Sequence, residues 1–274
     1  MRIIRKYLFS AILTILVSFA FLSCSFGDGT PISSLGDSSM PIRRYDLLEI
    51  RYLTTGDYSA LQKMRTTYVI ETRALVEHLL KIGVLGESGM NERFLKFYED
   101  PTLAAAIRDV DSTFANMDRE NEQLRTCFNR MRKLLPEVDI PDVYTQVGDF
   151  EQSIVVSGNL VGISLEKYLG EDYPTYKRFY DDEQRRQMGR EYMIPDCISV
   201  YLLSQFPLDD FQNISEEVRD FHMQCIWYAV NKLLGEEFYC RQDLSKADAF
   251  VQLHKDMSLA ELLNYSNRGR QNAK

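Results

Sequence analysis

Residues 2 to 24 constrain this chain more than any other stretch, because they set which part of it can fold and where. Arg2, Arg5 and Lys6 form a positive front, and Tyr7 to Leu22 is an apolar run broken only by Ser10, Thr14 and Ser18. Phe21-Leu22-Ser23-Cys24 closes the run with a small residue before a cysteine. A secretory signal peptide needs that order of charge, hydrocarbon and small residue. A cysteine just past the cut reads as a lipobox, with Cys24 as the lipidated N-terminus of the mature chain, although Phe21 stands where leucine is usual and Leu22 is bulky. The alternatives are a plain signal peptide with an incidental cysteine, or an uncleaved anchor. The apolar run is about 16 residues long, short of the roughly 20 that span a bilayer comfortably.

Residues 25 to 41, SFGDGTPISSLGDSSMP, carry too few large side chains to offset the entropy of ordering. Residues 24–41 therefore read as a lipidated flexible tether with an rms reach of roughly 20–25 Å. The expected division is a signal peptide over 1–23, the tether over 24–41 and a single globular domain over 42–274. Hydrophobic residues make up 45% of the chain, enough for a sizeable core in one large domain or two small ones. Net charge is −8, and −11 once the three cations of the signal peptide are removed. With no Lys/Arg-rich stripe, the sequence argues against nucleic acid as a partner and against electrostatic docking on anionic lipid.

Four cysteines follow Cys24, an even number that allows one or two disulfides in an exported chain. Yet Cys127, Cys197 and Cys225 each sit inside an apolar helical pattern, which favours free core thiols. Helical spacing runs from Tyr58 through Leu61, Met64, Tyr68, Leu75 and Leu79 to Leu80, with Gly83 as the stop. Asn91 is read as the cap of a short helix through Tyr98, and Asp100-Pro101 opens another. Met117 to Leu135 is strongly amphipathic. Between Ile140 and Leu165 the texture changes to three short β-branched segments parted by Gly148-Asp149 and Gly158-Asn159, which predicts a three-stranded antiparallel meander. Helices are expected again near Pro174 to Phe179, over Tyr192 to Phe206, over Glu216 to Leu234 capped by Ser215 and Gly235, and less regularly from Asp243 to Tyr265. The fold class is thus α+β and mainly helical, with helices packed around a small antiparallel sheet.

The middle stretch carries a resemblance. Leu135-Pro-Glu-Val-Asp-Ile-Pro-Asp-Val-Tyr-Thr-Gln-Val-Gly-Asp-Phe150, followed by Gly162-Ile-Ser-Leu-Glu-Lys-Tyr-Leu-Gly-Glu-Asp-Tyr-Pro174, resembles the gliding-motility lipoprotein B family. Tyr168, Leu169, Gly170, Asp172 and Tyr176 match its pattern, while Glu166 replaces the usual Asp. Ile42-Arg-Arg-Tyr-Asp46 and Arg190-Glu-Tyr-Met-Ile-Pro-Asp196 resemble two further blocks, so the similarity covers about 42 to 206. It implies an envelope lipoprotein of Bacteroidota type, carried by gliding and non-gliding species. The family is also similar to predicted zinc peptidases of the zincin type, which adds the expectation of a degenerate zincin-like architecture.

A working zincin needs two histidines four apart on one helix with a glutamate between them. His78, His222 and His254 are not so spaced, and Pro195 to Tyr201, where the motif belongs, holds no histidine. His222 and Cys225 share a helix face and could hold a metal with Cys240 or His254, against the plainer reading of a packed cysteine beside a rim histidine. No G-x-S-x-G elbow supports a serine nucleophile. Asp181 to Glu183 beside Arg185-Arg186 is a solvated helix start. Glu166, Tyr168, Asp172, Tyr173 and Tyr176 are the candidate interaction surface, tyrosine-rich surfaces being suited to protein partners; the bland alternative puts Tyr168 and Leu169 in the core with Gly170 at a turn. The expected function is a non-catalytic, membrane-anchored envelope lipoprotein, a gliding-motility-associated or related envelope interaction component, without catalytic residues, cofactor or metal. It would be bound to the membrane through lipid on Cys24 and to envelope proteins through this face. Ser25, in place of an inner-membrane Asp signal, points to the outer membrane, periplasmic side. The competing classes are a metal-dependent hydrolase with an atypical site and a lipoprotein that binds a small molecule or glycan.

Overall fold

The computed structural model describes residues 42–208 and 213–267. The signal peptide, Cys24 and the tether lie outside the described residues.

The chain enters through a two-residue strand, β1 (Ile42–Arg43), whose Ile42 N–H donates to Asn121 Oδ1 at 3.1 Å. Helices α1 (Asp46–Thr55) and α2 (Tyr58–Thr66) pack together, and α3 (Val69–Arg73) runs on into a wider π-helical stretch, Ala74–Leu79. The stripe from Tyr58 to Leu80 is therefore not one helix. It breaks before Val69, where Thr72 Oγ1 lies 2.7 Å from both the Met64 and Tyr68 carbonyls. Lys81, at φ 53°, takes the left-handed position just past its end, two residues before Gly83.

Helices α4 (Met90–Phe97), α5 (Pro101–Thr113) and α6 (Asp118–Leu134) follow. Gly89, not Asn91, precedes α4. Asp100 caps α5, accepting from the N–H groups of Thr102 and Leu103, with Pro101 at the first helical position.

The sheet corrects the expected meander. Strands β2 (Asp142–Gln146), β3 (Ile154–Ser157) and β4 (Leu160–Ser164) lie in the order β1-β2-β4-β3, and only β3 and β4 are antiparallel. β2 runs parallel to β1 on one side and to β4 on the other. Gly148-Asp149 does not turn the chain back on β2, because the backbone there is committed elsewhere: Val147, Gly148 and Phe150 donate their N–H groups to buried carboxylates. The chain passes over the end of the sheet, so the tight hairpin forms at Gly158 (φ 59°) and β4 takes the place beside β2. Opposite Tyr144, β4 carries Gly162, where a Cβ would come within 2.6 Å of the tyrosine ring.

After the 3₁₀ turn Leu165–Lys167 come two short helices, α7 (Tyr176–Phe179) and α8 (Asp182–Arg186). Asp181 and Gln184 form a reciprocal capping box on α8, the solvated helix start read from its charges. α9 (Met193–Gln205) packs on β3 and β4, and α10 (Glu216–Leu234) packs on α6 and α9. Gly235 closes α10 in the left-handed conformation, whereas the Ser215 side chain makes no capping bond. The expected last helical region is two helices, α11 (Ser245–Leu253) and α12 (Leu259–Asn267). Cys127, Cys197 and Cys225 are buried free thiols in this helical layer, and Cys240 is exposed and free.

The result is mainly helical α+β, with a mixed sheet in place of the antiparallel one. Among the described residues no helix is long and apolar enough to cross a membrane.

Candidate functional site

The parallel strands β2 and β4 end side by side, and beyond their carboxyl ends lies a group of buried polar side chains. Glu49 reaches this place because Tyr45, Leu48, Glu49 and Tyr52 form the inward stripe of α1 and its first turn, all buried. Its Oε2 accepts the Val147 N–H at 2.9 Å. The Tyr98 hydroxyl lies 2.8 Å from Glu49 Oε1 and 2.5 Å from the Val147 carbonyl. That hydroxyl has one proton and the carbonyl can only accept, so a neutral Glu49 carboxyl supplies the other. Burial pushes the Glu49 pKa well above the usual carboxylate range, and the nearby Glu166 and Asp46 push the same way.

Glu166 enters from the 3₁₀ turn after β4. Its Oε2 accepts from Gly148 N at 2.8 Å and its Oε1 from Phe150 N at 3.3 Å. These bonds favour the charged form, but complete burial outweighs them and raises the pKa to about 7. Phe150 is held at φ 68°, unusual for a bulky residue. Its carbonyl accepts from Lys167 Nζ at 2.8 Å and from the Tyr180 hydroxyl, so the strained position is fixed from both sides. Asp46 accepts two bonds from Arg44, at 2.9 and 2.7 Å, and one from the Thr145 hydroxyl at 2.5 Å, docking α1 onto β2.

The five sequence-derived candidates divide at this point. Glu166, Tyr168 and Tyr176 are buried. Tyr168 donates to Asp196 Oδ2 at 2.9 Å, and burial raises the Asp196 pKa to about 7. Tyr176 donates to the Glu166 carbonyl at 2.5 Å and accepts the Leu169 N–H at 3.0 Å. Tyr168 is in the core, as the bland reading has it, whereas Leu169 is only half-buried, and Gly170 makes the turn at φ 105°. Asp172 is exposed and paired with Lys177 at 2.9 Å. Tyr173 is half-buried: its ring packs on Tyr176, 5.0 Å between centroids, and its hydroxyl donates to Asp109 on α5 at 2.9 Å. A surface in this region therefore consists of Asp172 and Tyr173 together with Phe179, which is 62% exposed and which the sequence reading passed over. Glu49 and Tyr98 were also missed, though an acid on the stripe Tyr45–Leu48–Tyr52 is a visible signal.

Of the residues weighed for metal binding, the buried His222 and Cys225 meet at the Ser266 hydroxyl, while Cys240 and His254 are engaged elsewhere. His222 is buried with Nδ1 2.9 Å from Ser266 Oγ, the Cys240 thiol faces Asp243 at 3.0 Å, and His254 stacks on Phe250 at 4.1 Å. Among the described residues no group of three or more His, Cys, Asp or Glu side chains is placed to hold a metal ion.

Arg190 closes the frame. It forms a two-bond pair with Glu120, both contacts at 2.8 Å, donates to the Thr113 and Asn116 carbonyls, and lies over the Phe114 ring. It thereby fixes the α5–α6 connection to the start of α9.

Fold and site together define a mainly helical α+β protein whose sheet end is sealed by its own carboxyl groups. Residues 32–221 match the family model described as gliding motility protein GldB, and the chain belongs to that family of gliding-motility-related lipoproteins. Comparison with curated proteins and with solved structures finds no match.

Proposed function

We propose that this chain works without chemistry of its own, as an envelope component held on the membrane by lipid at Cys24 and presenting a docking face to another envelope protein. One observation carries the reading. The carboxyl ends of parallel strands are where α/β sheets usually receive a ligand, and here Glu49 and Glu166 fill that place and spend their oxygens on Val147, Gly148, Phe150 and Tyr98. Carboxyls so engaged brace the fold and leave no free base or ligand set. The docking face is Asp172, Tyr173 and Phe179, with the buried Glu166, Tyr168 and Tyr176 acting behind it as its support. The side of attachment is the periplasmic face of the outer membrane.

A photo-crosslinking residue placed at Phe179 in intact cells tests this. The expected result is one dominant crosslinked envelope protein, lost on Tyr173→Ala, with labelled palmitate incorporated at Cys24. A face that crosslinks to nothing, or a mature chain without lipid, overturns the corresponding half of the reading.

A further inference from the structure

The two aromatic side chains of the docking face, Tyr173 and Phe179, belong to no common rigid element. Tyr173 lies in the loop before α7, and Phe179 is the last residue of that four-residue helix. One turn of helix is too short to hold its own shape, so their arrangement is set by what lies behind them. Phe150 reaches both. Its ring stacks on Tyr173 at 6.4 Å between centroids and meets Tyr176 edge-on at 6.2 Å. Its carbonyl accepts from the Tyr180 hydroxyl and from Lys167 Nζ at 2.8 Å, and Lys167 Nζ also donates to that hydroxyl at 2.9 Å. Tyr180 follows Phe179 directly, and its N–H closes α7 on the Tyr176 carbonyl at 2.8 Å.

We infer that Phe150 is the positioning residue of this face, its backbone clamped by Lys167 and Tyr180 so that Tyr173 and Phe179 stand ready before a partner arrives. The inference rests on the reading of Asp172, Tyr173 and Phe179 as a docking surface. Phe150 sits at φ 68°. A change to the ordinary negative range would turn its side chain and its carbonyl together about the N–Cα bond, so both contacts would go at once. A left-handed position that served only the path of the chain would suit glycine, which has no Cβ to strain. Here the strain is kept along with a ring against Tyr173. Such backbone persists only where its surroundings over-determine it. The amide side is held by the longer bond, to Glu166 Oε1 at 3.3 Å, while the carbonyl side has two donors, so Lys167 and Tyr180 carry the clamp. An arrangement fixed in advance spares the complex the cost of ordering it.

Lys167→Met combined with Tyr180→Phe removes both donors to the Phe150 carbonyl and keeps most of the side-chain bulk. Hydrogen–deuterium exchange of the full chain in detergent reads the face without a partner. In the double variant it should quicken about tenfold over residues 147–151 and 176–180 and stay unchanged in α6, α9 and α10. The photo-crosslink from position 179 in intact cells reads docking, and its yield per molecule should fall about tenfold. Phe150→Gly keeps the left-handed backbone without the ring and should lose the crosslink to the same extent, again with α6, α9 and α10 unchanged. A merely structural role would lower the melting temperature and leave the crosslink per folded molecule as it was. Exchange that does not quicken locally, or quickens with the crosslink intact, overturns the inference and leaves the docking face standing. An unsubstituted clamp whose position 179 crosslinks to nothing overturns the face itself, and the inference with it.

Discussion

At the scale of single residues, three buried acids hold their protons more tightly than free carboxylic acids do. Glu166 and Asp196 are raised to about 7 by burial, and Glu49 is raised in the same direction. A carboxyl whose folded pKa lies above its unfolded value contributes stability that is complete below the unfolded pKa and is lost as pH rises through the folded one. For Glu166 and Asp196 that window runs from about pH 4 to about pH 7. Half-buried Asp57 and exposed Asp100, Asp172 and Glu261 are shifted down by hydrogen bonds or by Lys177, so their contribution is lost instead as pH falls through their lowered values. The melting temperature should therefore rise as pH is lowered from 8 towards 5 and fall again in stronger acid. Glu166→Gln keeps an acceptor for the closer of its two donors, the Gly148 N–H, turns an amide NH2 towards the Phe150 N–H, and removes the titration. It should flatten the slope between pH 5 and 8 by on the order of 3 kcal/mol, and Asp196→Asn should flatten it further. Thermal denaturation across this pH range checks the point, and an unchanged slope in both variants would contradict it.

At the scale of elements, what the sequence made legible followed from local chemistry. Asp100-Pro101, Gly235 and the alternating β-branched runs each announce themselves within a few residues, and the structure places α5, the end of α10 and β2 to β4 close to where they point. Sheet order was not legible. It depends on Glu49 and Glu166 seizing the backbone after β2, and Val147 and Glu49 are 98 residues apart in sequence. Nor could pattern alone separate the surface from the core around Tyr168 to Tyr176, because a tyrosine reads the same whether its hydroxyl meets water or Asp196. β1 was missed because two residues carry no period. The β2–β4 pairing has its own test in Gly162, which leaves room for the Tyr144 ring. Gly162→Ala places a Cβ 2.6 Å from that ring and should cost roughly 1–3 kcal/mol, measured by denaturant unfolding. Pairing of β2 with β3 in the meander would give the substitution no such ring to meet, and little cost.

At the scale of the whole molecule, the sequence blocks that carry the family resemblance converge on architecture. Arg44 and Asp46 dock the first helix on β2, Tyr168 reaches Asp196 on α9, and Arg190 ties the α5–α6 connection to the start of α9. Motif residues spent on holding elements together fit a protein that presents surfaces. Catalysis and bracing make opposite demands on Glu49, Glu166 and Asp196. A catalytic carboxyl must ionise or transfer a proton, which an amide cannot do. A bracing carboxyl needs only oxygens to accept and, at Glu49, a proton to donate; an amide supplies one of each, which serves Glu49 and Asp196 in full and Glu166 at its closer bond, to Gly148. Replacing the chromosomal copy with a Glu49→Gln, Glu166→Gln, Asp196→Asn chain separates the two by the phenotype of cells that depend on it. Wild-type behaviour with normal levels of the variant protein is predicted, while the phenotype of the deletion, in cells where the triple variant is folded and abundant, would contradict a chain that acts by docking alone.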